Sequence, residues 1–383
     1  MEESSHINSS LTSSEVLRYS RQILLPKFGI NGQKLLKSAS VLCVGSGGLG
    51  SSLLTYLAAA GLGNIGIVDY DTVDLSNLHR QIIHSTNAIG SNKTSSARKR
   101  IKEINPNCHV EIFNMKINRS NIFSIFEKYD YICDASDNFP TRYLVNDACV
   151  ILGKPLIYGS IFQFEGQTTV FNLTPKSPNL RDLVPSPPPP EMLPSCSEAG
   201  VLGVLPGLIG TIQATETIKL ITGIGSSLDG RLLVFDALKM SFRELKLQQS
   251  YPPIAIDELI DYEYFCGINQ STSVDSISVS ELNQLMHNSN SGFLLVDVRN
   301  VLEREIAVIP NSISIPLSSI KDGSKIQFIK EQINGRKLII YCKKGPRSIK
   351  AIEELKKYDL KAFNLDGGIE EWSNKIDSSI PLY

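Results

Sequence analysis

Residues 41–50, VLCVGSGGLG, constrain the fold more than any other stretch of the chain. Val41 to Val44 form a short apolar run, as expected of a strand buried on both faces. Gly45, Gly47, Gly48 and Gly50 then make a turn that few side chains obstruct, and a helix-like run follows, LGSSLLTYLAAAGLG. A strand that turns over glycines into a helix gathers backbone N–H groups and the positive end of a helix at one point, which suits a phosphate. Spacing of this kind is weak alone and gains weight from its surroundings. A second apolar run, NIGIVDYD, comes next and carries Asp69 to about the distance where an acidic residue holds a nucleotide ribose. The stretch therefore points to a nucleotide, without saying which one or what is done with it.

From residue 41 to about 160 the pattern alternates. Apolar strands are expected at 41–44, 65–69, 109–113, 130–134 and 155–159, with helical stretches such as 92–104 between them. This predicts an α/β fold, a doubly wound and mostly parallel Rossmann-like sheet, with ligands at the carboxyl ends of its strands. Polar residues gather just past those ends, in DYDTVDLSNLHRQ and CDASDNFPTR. A dinucleotide enzyme needs one acidic residue there. This chain offers Asp69, Asn77, Arg80, Gln81, Lys93, Asp137 and Asn138. Arg80 and Lys93 are the groups that neutralise a triphosphate, and Asp137 suits a magnesium ion through oxygen. Taken singly, each is equally a helix cap or a loop salt bridge. Their convergence on one sheet rim argues for a site.

The flanks are less regular. Residues 1–14 are polar and acidic, the composition of a disordered tail and not of a secretion or transit signal. Residues 15–38 read as helical with a break at Pro26 and Gly29. Residues 174–199 form a long irregular segment containing PSPPPPEMLPSCSEAG. Its consecutive prolines are stiff and extended, and a loop this long is usually functional or disordered. It places Cys196 between Ser195 and Ser197, accessible as a nucleophile must be. GVLGVLPGLIGTIQATETIKLITG then reads as a buried helix, and 231–247 as two strands joined by a turn.

Pro252-Pro253 and the polar INQSTS mark 248–275 as a linker between a larger unit at 15–247 and a smaller one at 276–383. The smaller unit reads as helix (SVSELNQLMHN), strand (GFLLVDVR), short strand (SISIPL), helix (318–333), strand (KLIIYC), loop (KKGPR), helix from Ser348, and strand (KAFNLDG). Cys342 ends an apolar strand and meets Lys343, Lys344, Gly345, Pro346 and Arg347. A thiol in such a turn is expected to face backbone N–H groups and a helix N-terminus, with three cations nearby, a setting that stabilises a thiolate or persulfide anion.

Composition narrows the classes. A chain of 383 residues exceeds what one core usually serves. Its net charge of −1 gives no nucleic-acid footprint, and Arg98-Lys99-Arg100 is the solvated face of a helix. No apolar run reaches the roughly 18 residues that span a membrane. Seven cysteines without a C-x-x-C pair exclude a disulfide framework and a zinc ribbon, and fit a reducing compartment.

The glycine turn, SNLHRQ at 76–81, Lys93, DASDN at 134–138 and PPPPEMLPSC at 187–196 together resemble the ThiF/MoeB adenylyltransferase family over about residues 15–247. DVR at 297–299, the C-x-x-G-x-R loop at 342–347 and LDGGIEEW at 365–372 resemble a rhodanese domain. The order of the two is similar to that of molybdopterin-synthase adenylyltransferase/sulfurtransferases. The resemblance implies that ATP and Mg²⁺ activate the C-terminal Gly-Gly carboxylate of a small ubiquitin-like sulfur-carrier protein, ready for conversion to a thiocarboxylate. It implies a nucleotide site at Gly48, Asp69, Ser76, Asn77, Leu78, His79, Arg80, Lys93, Asp137 and Asn138. Within it, Asp69 would take the ribose, Asn77, Arg80 and Lys93 the phosphates, and Asp137 the magnesium. Arg21 matches an arginine that reaches into a neighbouring subunit's site, which implies a homodimer. Cys196 matches a sulfur-transfer cysteine, and Cys342 the persulfide cysteine, charged by a separate sulfur-donor protein. TPKSPNLRDLVP and QQSYPPIAIDELIDYEYFCG lack the C-x-x-C pairs by which many relatives hold zinc, so no structural zinc is expected. REIAVIP at 304–310 lacks a histidine often present in simple rhodaneses. The zinc-free form is most similar to cyanobacterial and algal plastid members, so plastid stroma, or otherwise bacterial cytoplasm, is the expected location. Two other readings compete: a nicotinamide-dependent dehydrogenase, which leaves Arg80, Lys93 and Asp137 without a reason, and a second unit that only binds.

Overall fold

The computed structural model describes residues 10–188, 200–267, 274–288 and 292–383. The chain divides into two compact units, residues 1–270 and 271–383.

The first unit carries strands β1 (Ser40–Val44), β2 (Asn64–Val68), β3 (His109–Phe113), β4 (Tyr131–Asp134), β5 (Leu156–Phe162), β6 (Glu165–Phe171), β7 (Arg231–Asp236) and β8 (Ser241–Lys246). They form one sheet in the order β3-β2-β1-β4-β5-β6-β7-β8. β1 to β5 run parallel, and β6 to β8 continue antiparallel. The mostly parallel α/β sheet is the one the alternation predicts. β6 escapes that reading because EGQTTVF is no apolar run; it forms by hairpin return from β5, with Gln163 in the left-handed region at φ 51°. β1 lies between β2 and β4, so its exit lies deep in the sheet and not at an edge.

Both faces of the sheet are covered. The Gly48–Ala60, Lys93–Ile104 and Leu205–Thr222 helices bury one side around Leu53, Leu57, Ile101 and Ile209. The Phe139–Leu152 helix buries the other around Leu42, Tyr143 and Val145. The Leu205–Thr222 helix presses so closely on the Gly48–Ala60 helix that a Cβ at Gly210 would lie 2.3 Å from the Leu49 carbonyl oxygen. Only glycine allows that approach.

The helical stretch at 15–38 is two helices, Ser13–Ile23 and Gly29–Ser38, parted around Pro26. The first starts where Thr12 and Glu15 cap it reciprocally. Part of the stretch expected as a linker is docked on the first unit. Tyr262 donates its hydroxyl to Asp147 Oδ2 at 2.8 Å, Phe265 meets the edge of Tyr143 at 5.2 Å, and Cys266 is buried. Apolar residues inside IDYEYFC make the difference, since they find partners on the Phe139–Leu152 helix.

The second unit holds β9 (Ser276–Ile277), β10 (Phe293–Asp297), β11 (Ser312–Ser314), β12 (Lys337–Tyr341) and β13 (Ala362–Leu365), an all-parallel sheet in the order β11-β10-β12-β13-β9. β12 is its central strand. Trp372, the one tryptophan of the chain, is buried in this unit with Tyr341, Leu365 and Ile369. The helix expected at 318–333 is broken into Leu317–Lys321 and Ile326–Ile333 by the turn Asp322-Gly323-Ser324. The helix after the cysteine loop begins at Pro346, two residues before Ser348, because proline's fixed φ suits the first helical position. No described helix is long and apolar enough to cross a membrane.

Candidate functional site

At the exit of β1, Gly45 donates its N–H to the Val68 carbonyl (2.9 Å) and adopts φ 95°. A Cβ there would lie 2.8 Å from the Ala135 carbonyl oxygen, so the exits of β1 and β4 can approach only over glycine. Ser46 turns inward and is fully buried. Its N–H and Oγ both donate to Asp69 Oδ2, at 2.9 and 3.0 Å. Gly47 and Gly48 are thereby left facing a cavity of about 340 Å³, and Gly48 opens the helix behind it.

Gly48, Asp69, Arg80, Lys93, Asp137 and Asn138 all line this cavity. Val68, Met115, Ile117, Phe139 and Cys266 add apolar lining to these polar groups, and Pro187 and Pro188 also border the space. A ligand with a charged part and a flat apolar part fits such a lining.

Most of these residues also hold the protein together. Asp69 accepts from Ser46 twice and from the Asp71 N–H at 2.9 Å, which leaves roughly one of its four lone-pair positions for a hydroxyl. Lys93 opens the Lys93–Ile104 helix, is buried, and pairs with Asp71 Oδ2 at 2.8 Å. Asn138 caps the Phe139–Leu152 helix by accepting the Thr141 N–H at 3.0 Å. Asp137 is exposed and meets Asn138 Nδ2 at 3.4 Å. Cap, salt bridge and cavity wall are thus compatible roles for one side chain.

Four residues of the cassette stay outside the lining: Ser76, Asn77, Leu78 and His79. They build the turn behind it. Asn77 Oδ1 accepts from Gln81 Nε2 at 2.7 Å, and Gln81 reaches the cavity instead. The Ser76 carbonyl holds Arg80 Nη1 at 3.1 Å, and His79 Nε2 lies 2.7 Å from the same nitrogen. Partial burial and the Arg80 charge push the His79 imidazole below its ordinary pKa, keeping it neutral and able to accept. Arg21 is exposed on the Ser13–Ile23 helix and also lies outside the lining. Cys196 lies outside the described residues.

Arg142, Asp71, Ser136 and His84 belong to the site or its support and were not singled out by the sequence. Arg142 is buried, donates to the carbonyls of Gly159 and Ser136 at 2.8 Å each, and stands 3.7 Å from Asp134 Oδ2. Burial raises the Asp134 carboxyl pKa in spite of that arginine. The signal was present in DASDN and in an arginine one turn into a helix, but only the pairing in space gives it meaning.

In the second unit Cys342 sits at the end of β12 and is buried. Its Sγ accepts the Gly345 N–H at 3.0 Å and lies 3.5 Å from Ser348 Oγ. The expected field of three cations is largely compensated. Arg347 forks onto Glu303 at 2.6 and 2.8 Å, and Lys344 pairs with Glu370 at 3.2 Å. Lys343 Nζ lies 4.6 Å from the Tyr383 ring centroid, and desolvation lowers its pKa. Burial acts to raise the Glu303 carboxyl, but Arg347 holds it below its usual range.

Comparison with known proteins agrees with this division. The ThiF family matches residues 19–253, and the rhodanese-like domain matches residues 278–375. A Mycobacterium tuberculosis protein named probable adenylyltransferase/sulfurtransferase MoeZ is 44% identical over 386 residues, covering 98% of this chain and 97% of its own length. The adenylyltransferase and sulfurtransferase MOCS3 of Drosophila grimshawi is 42% identical over 400 residues, covering 100% of this chain and 89% of its own. Among solved structures, E. coli MccB superposes with a TM-score of 0.56 at 20% identity, over 66% of this chain and 74% of that one, a likeness of fold alone.

Proposed function

Because the chain belongs to the ThiF family and continues into a rhodanese-like domain, we propose that it is an adenylyltransferase and sulfurtransferase acting on a small ubiquitin-like sulfur-carrier protein. In this reading the carrier's C-terminal glycine carboxylate attacks the α-phosphorus of ATP, the bond to the β-phosphate breaks, and pyrophosphate leaves. The outer sulfur of a persulfide on Cys342 then attacks the acyl-adenylate carbonyl and AMP leaves, giving an acyl disulfide. Cys196, assigned to the transfer steps, attacks the Cys342 sulfur as a thiolate, so that a Cys196–Cys342 disulfide forms and the carrier thiocarboxylate is released. The observation that supports this most is the convergence of Gly48, Arg80, Lys93 and Asp137 on one cavity at the exits of parallel strands.

The residues suit these tasks. Gly47 and Gly48 present bare backbone to the phosphates. Arg80 and Lys93 compensate the charge that grows on the departing pyrophosphate. To engage, Arg80 leaves the Ser76 carbonyl and Lys93 exchanges Asp71 for a phosphate oxygen. Asp137, loosely held by Asn138 at 3.4 Å, suits a hard cation through one carboxylate. Magnesium bound there would neutralise the β- and γ-phosphates. Asp69, with its one remaining lone-pair position, accepts from a ribose hydroxyl. The apolar lining at Met115, Ile117 and Phe139 takes the base.

We assign Arg21 to the active site of a second copy, which makes the working form a homodimer. The first-choice carrier is the molybdopterin synthase small subunit, and the alternatives are thiamine-type and tRNA-thiolation carriers. A separate protein donates the sulfur. The compartment is reducing, with plastid stroma placed ahead of bacterial cytoplasm. Each candidate carrier is to be incubated with the protein, ATP–Mg²⁺ and a sulfur donor, and its C-terminus read by mass spectrometry. A thiocarboxylate on the molybdopterin-type carrier is expected. Modification of the thiamine-type carrier alone would reassign the substrate, and pyrophosphate exchange with no carrier would sink the reading altogether.

A further inference from the structure

His84 lies one turn past the SNLHRQ cassette and is 7% exposed. Its Nε2 is 3.0 Å from the Ser46 carbonyl oxygen and its Nδ1 3.0 Å from Ser96 Oγ. A carbonyl only accepts, so Nε2 carries the proton and Nδ1 accepts from the serine hydroxyl. The ring thus joins the glycine turn, through Ser46, to the Lys93–Ile104 helix, through Ser96. Its own N–H donates to the Gln81 carbonyl at 3.0 Å, which adds the cassette.

The contacts close on themselves. Lys93, on the same helix as Ser96, pairs with Asp71 at 2.8 Å. Asp71 donates its N–H to Asp69 at 2.9 Å, and Asp69 takes the N–H and Oγ of Ser46 at 2.9 and 3.0 Å. Ser46 returns to His84. The closed set of contacts includes Asp69, Asp71 and Lys93 from the cavity wall, and His84, outside the wall, supplies two of its links. Every polar atom of Ser46 is engaged by either Asp69 or His84.

We propose that His84 is a positioning residue of the nucleotide site, which fixes the glycine turn and the Lys93 helix at the separation a polyphosphate needs. Burial pushes its imidazole below the ordinary pKa, with the Lys93 charge acting in the same direction and Asp69 against it. A neutral ring is the form the tautomer requires. The proposal rests on the nucleotide reading given above.

The test measures binding of a non-hydrolysable ATP analogue by calorimetry, with Mg²⁺, to the full chain and to His84→Leu and His84→Gln. Leucine fills the space and breaks both links. Glutamine can donate to the Ser46 carbonyl and accept from Ser96. Two lost hydrogen bonds predict at least about tenfold weaker binding for the leucine variant, and the glutamine variant should return to within about threefold of wild type. In pyrophosphate exchange the leucine variant should raise KM for ATP and leave KM for the carrier unchanged. Leucine binding within threefold of wild type would overturn the proposal. Equal impairment of both variants would also overturn it, since that marks His84 as packing. Wild-type protein that fails to bind the analogue would instead refute the nucleotide reading.

Discussion

Each unit carries a strand that turns into a helix at the carboxyl edge of parallel strands, and the two turns are filled differently. In the first, β1 passes through Gly45, Ser46 and Gly47 into the Gly48–Ala60 helix and leaves a cavity walled by Arg80 and Lys93. In the second, β12 passes through Cys342, Lys343, Lys344 and Gly345 into the Pro346–Lys356 helix, and the cysteine sulfur fills the turn itself. Gly45 and Gly345 both take positive φ, 95° and 130°. The same backbone device therefore takes two fillings. One turn is hollow, with Arg80 and Lys93 in the wall of the space and Lys93 paired to Asp71. The other is closed by a cysteine sulfur, and two of the cations beside it are matched by Glu303 and Glu370.

That contrast can be broken by removing the built-in sulfur first. Cys342→Ala should abolish thiosulfate sulfurtransferase activity and leave ATP–pyrophosphate exchange unchanged. Retained sulfur transfer would make the second unit a binding module and end the parallel between the turns. The converse removes the cations of the hollow turn. Arg80→Ala and Lys93→Ala should each lower pyrophosphate exchange by roughly a hundredfold or more, the usual scale for groups that stabilise developing charge. Far-UV dichroism should stay native, and full exchange by either variant would remove that cation from the phosphate assignment.

A smaller effect tests whether matched cations matter to the closed turn. Glu303 is buried and forked by Arg347, so Glu303→Gln removes the charge from a buried, bidentate ion pair and should cost about 3 kcal/mol. The sign with pH follows from the depressed carboxyl. Its stabilisation is present above the unfolded carboxylate pKa of about 4.3 and is lost as pH falls through the lower folded value. Hydrogen exchange of the β12 amides in the full chain should show protection falling below about pH 4.3 in wild type and much less change in the variant. Identical acid profiles would mean that Glu303 contributes no linkage.

Much of the hollow turn was legible and little of what supports it. VLCV and the glycines located β1, the turn and the helix, because a buried parallel strand leaves an uninterrupted apolar run. β6 and β9 left no such trace, one being polar and the other two residues long. Gly48, Asp69, Asp137 and Asn138 line the cavity because each stands just past a strand end, whereas Arg80 and Lys93, 12 and 25 residues beyond Val68, reach it from the turn and the helix that follow β2. SNLHRQ was legible as a unit but not residue by residue: Ser76, Asn77 and His79 hold Arg80 and Gln81 in place. Asp71, His84 and Arg142 act through partners on other elements, such as Lys93, Ser46 and the Gly159 carbonyl, and no local pattern encodes such pairs. At Cys342 the loop was read correctly as a turn into a helix. Its compensation was missed, since Glu303 and Glu370 lie 39 and 28 positions from the cysteine and only the fold brings them back.

The burial of Trp372 gives the chain an optical asymmetry. The indole belongs to the second unit alone, so fluorescence excited at its red edge reports that unit and is silent about the first. Tyrosine absorption is spread over both. Red-edge excitation of an unlabelled sample therefore follows the second unit by itself, while shorter wavelengths sum the aromatic residues of both.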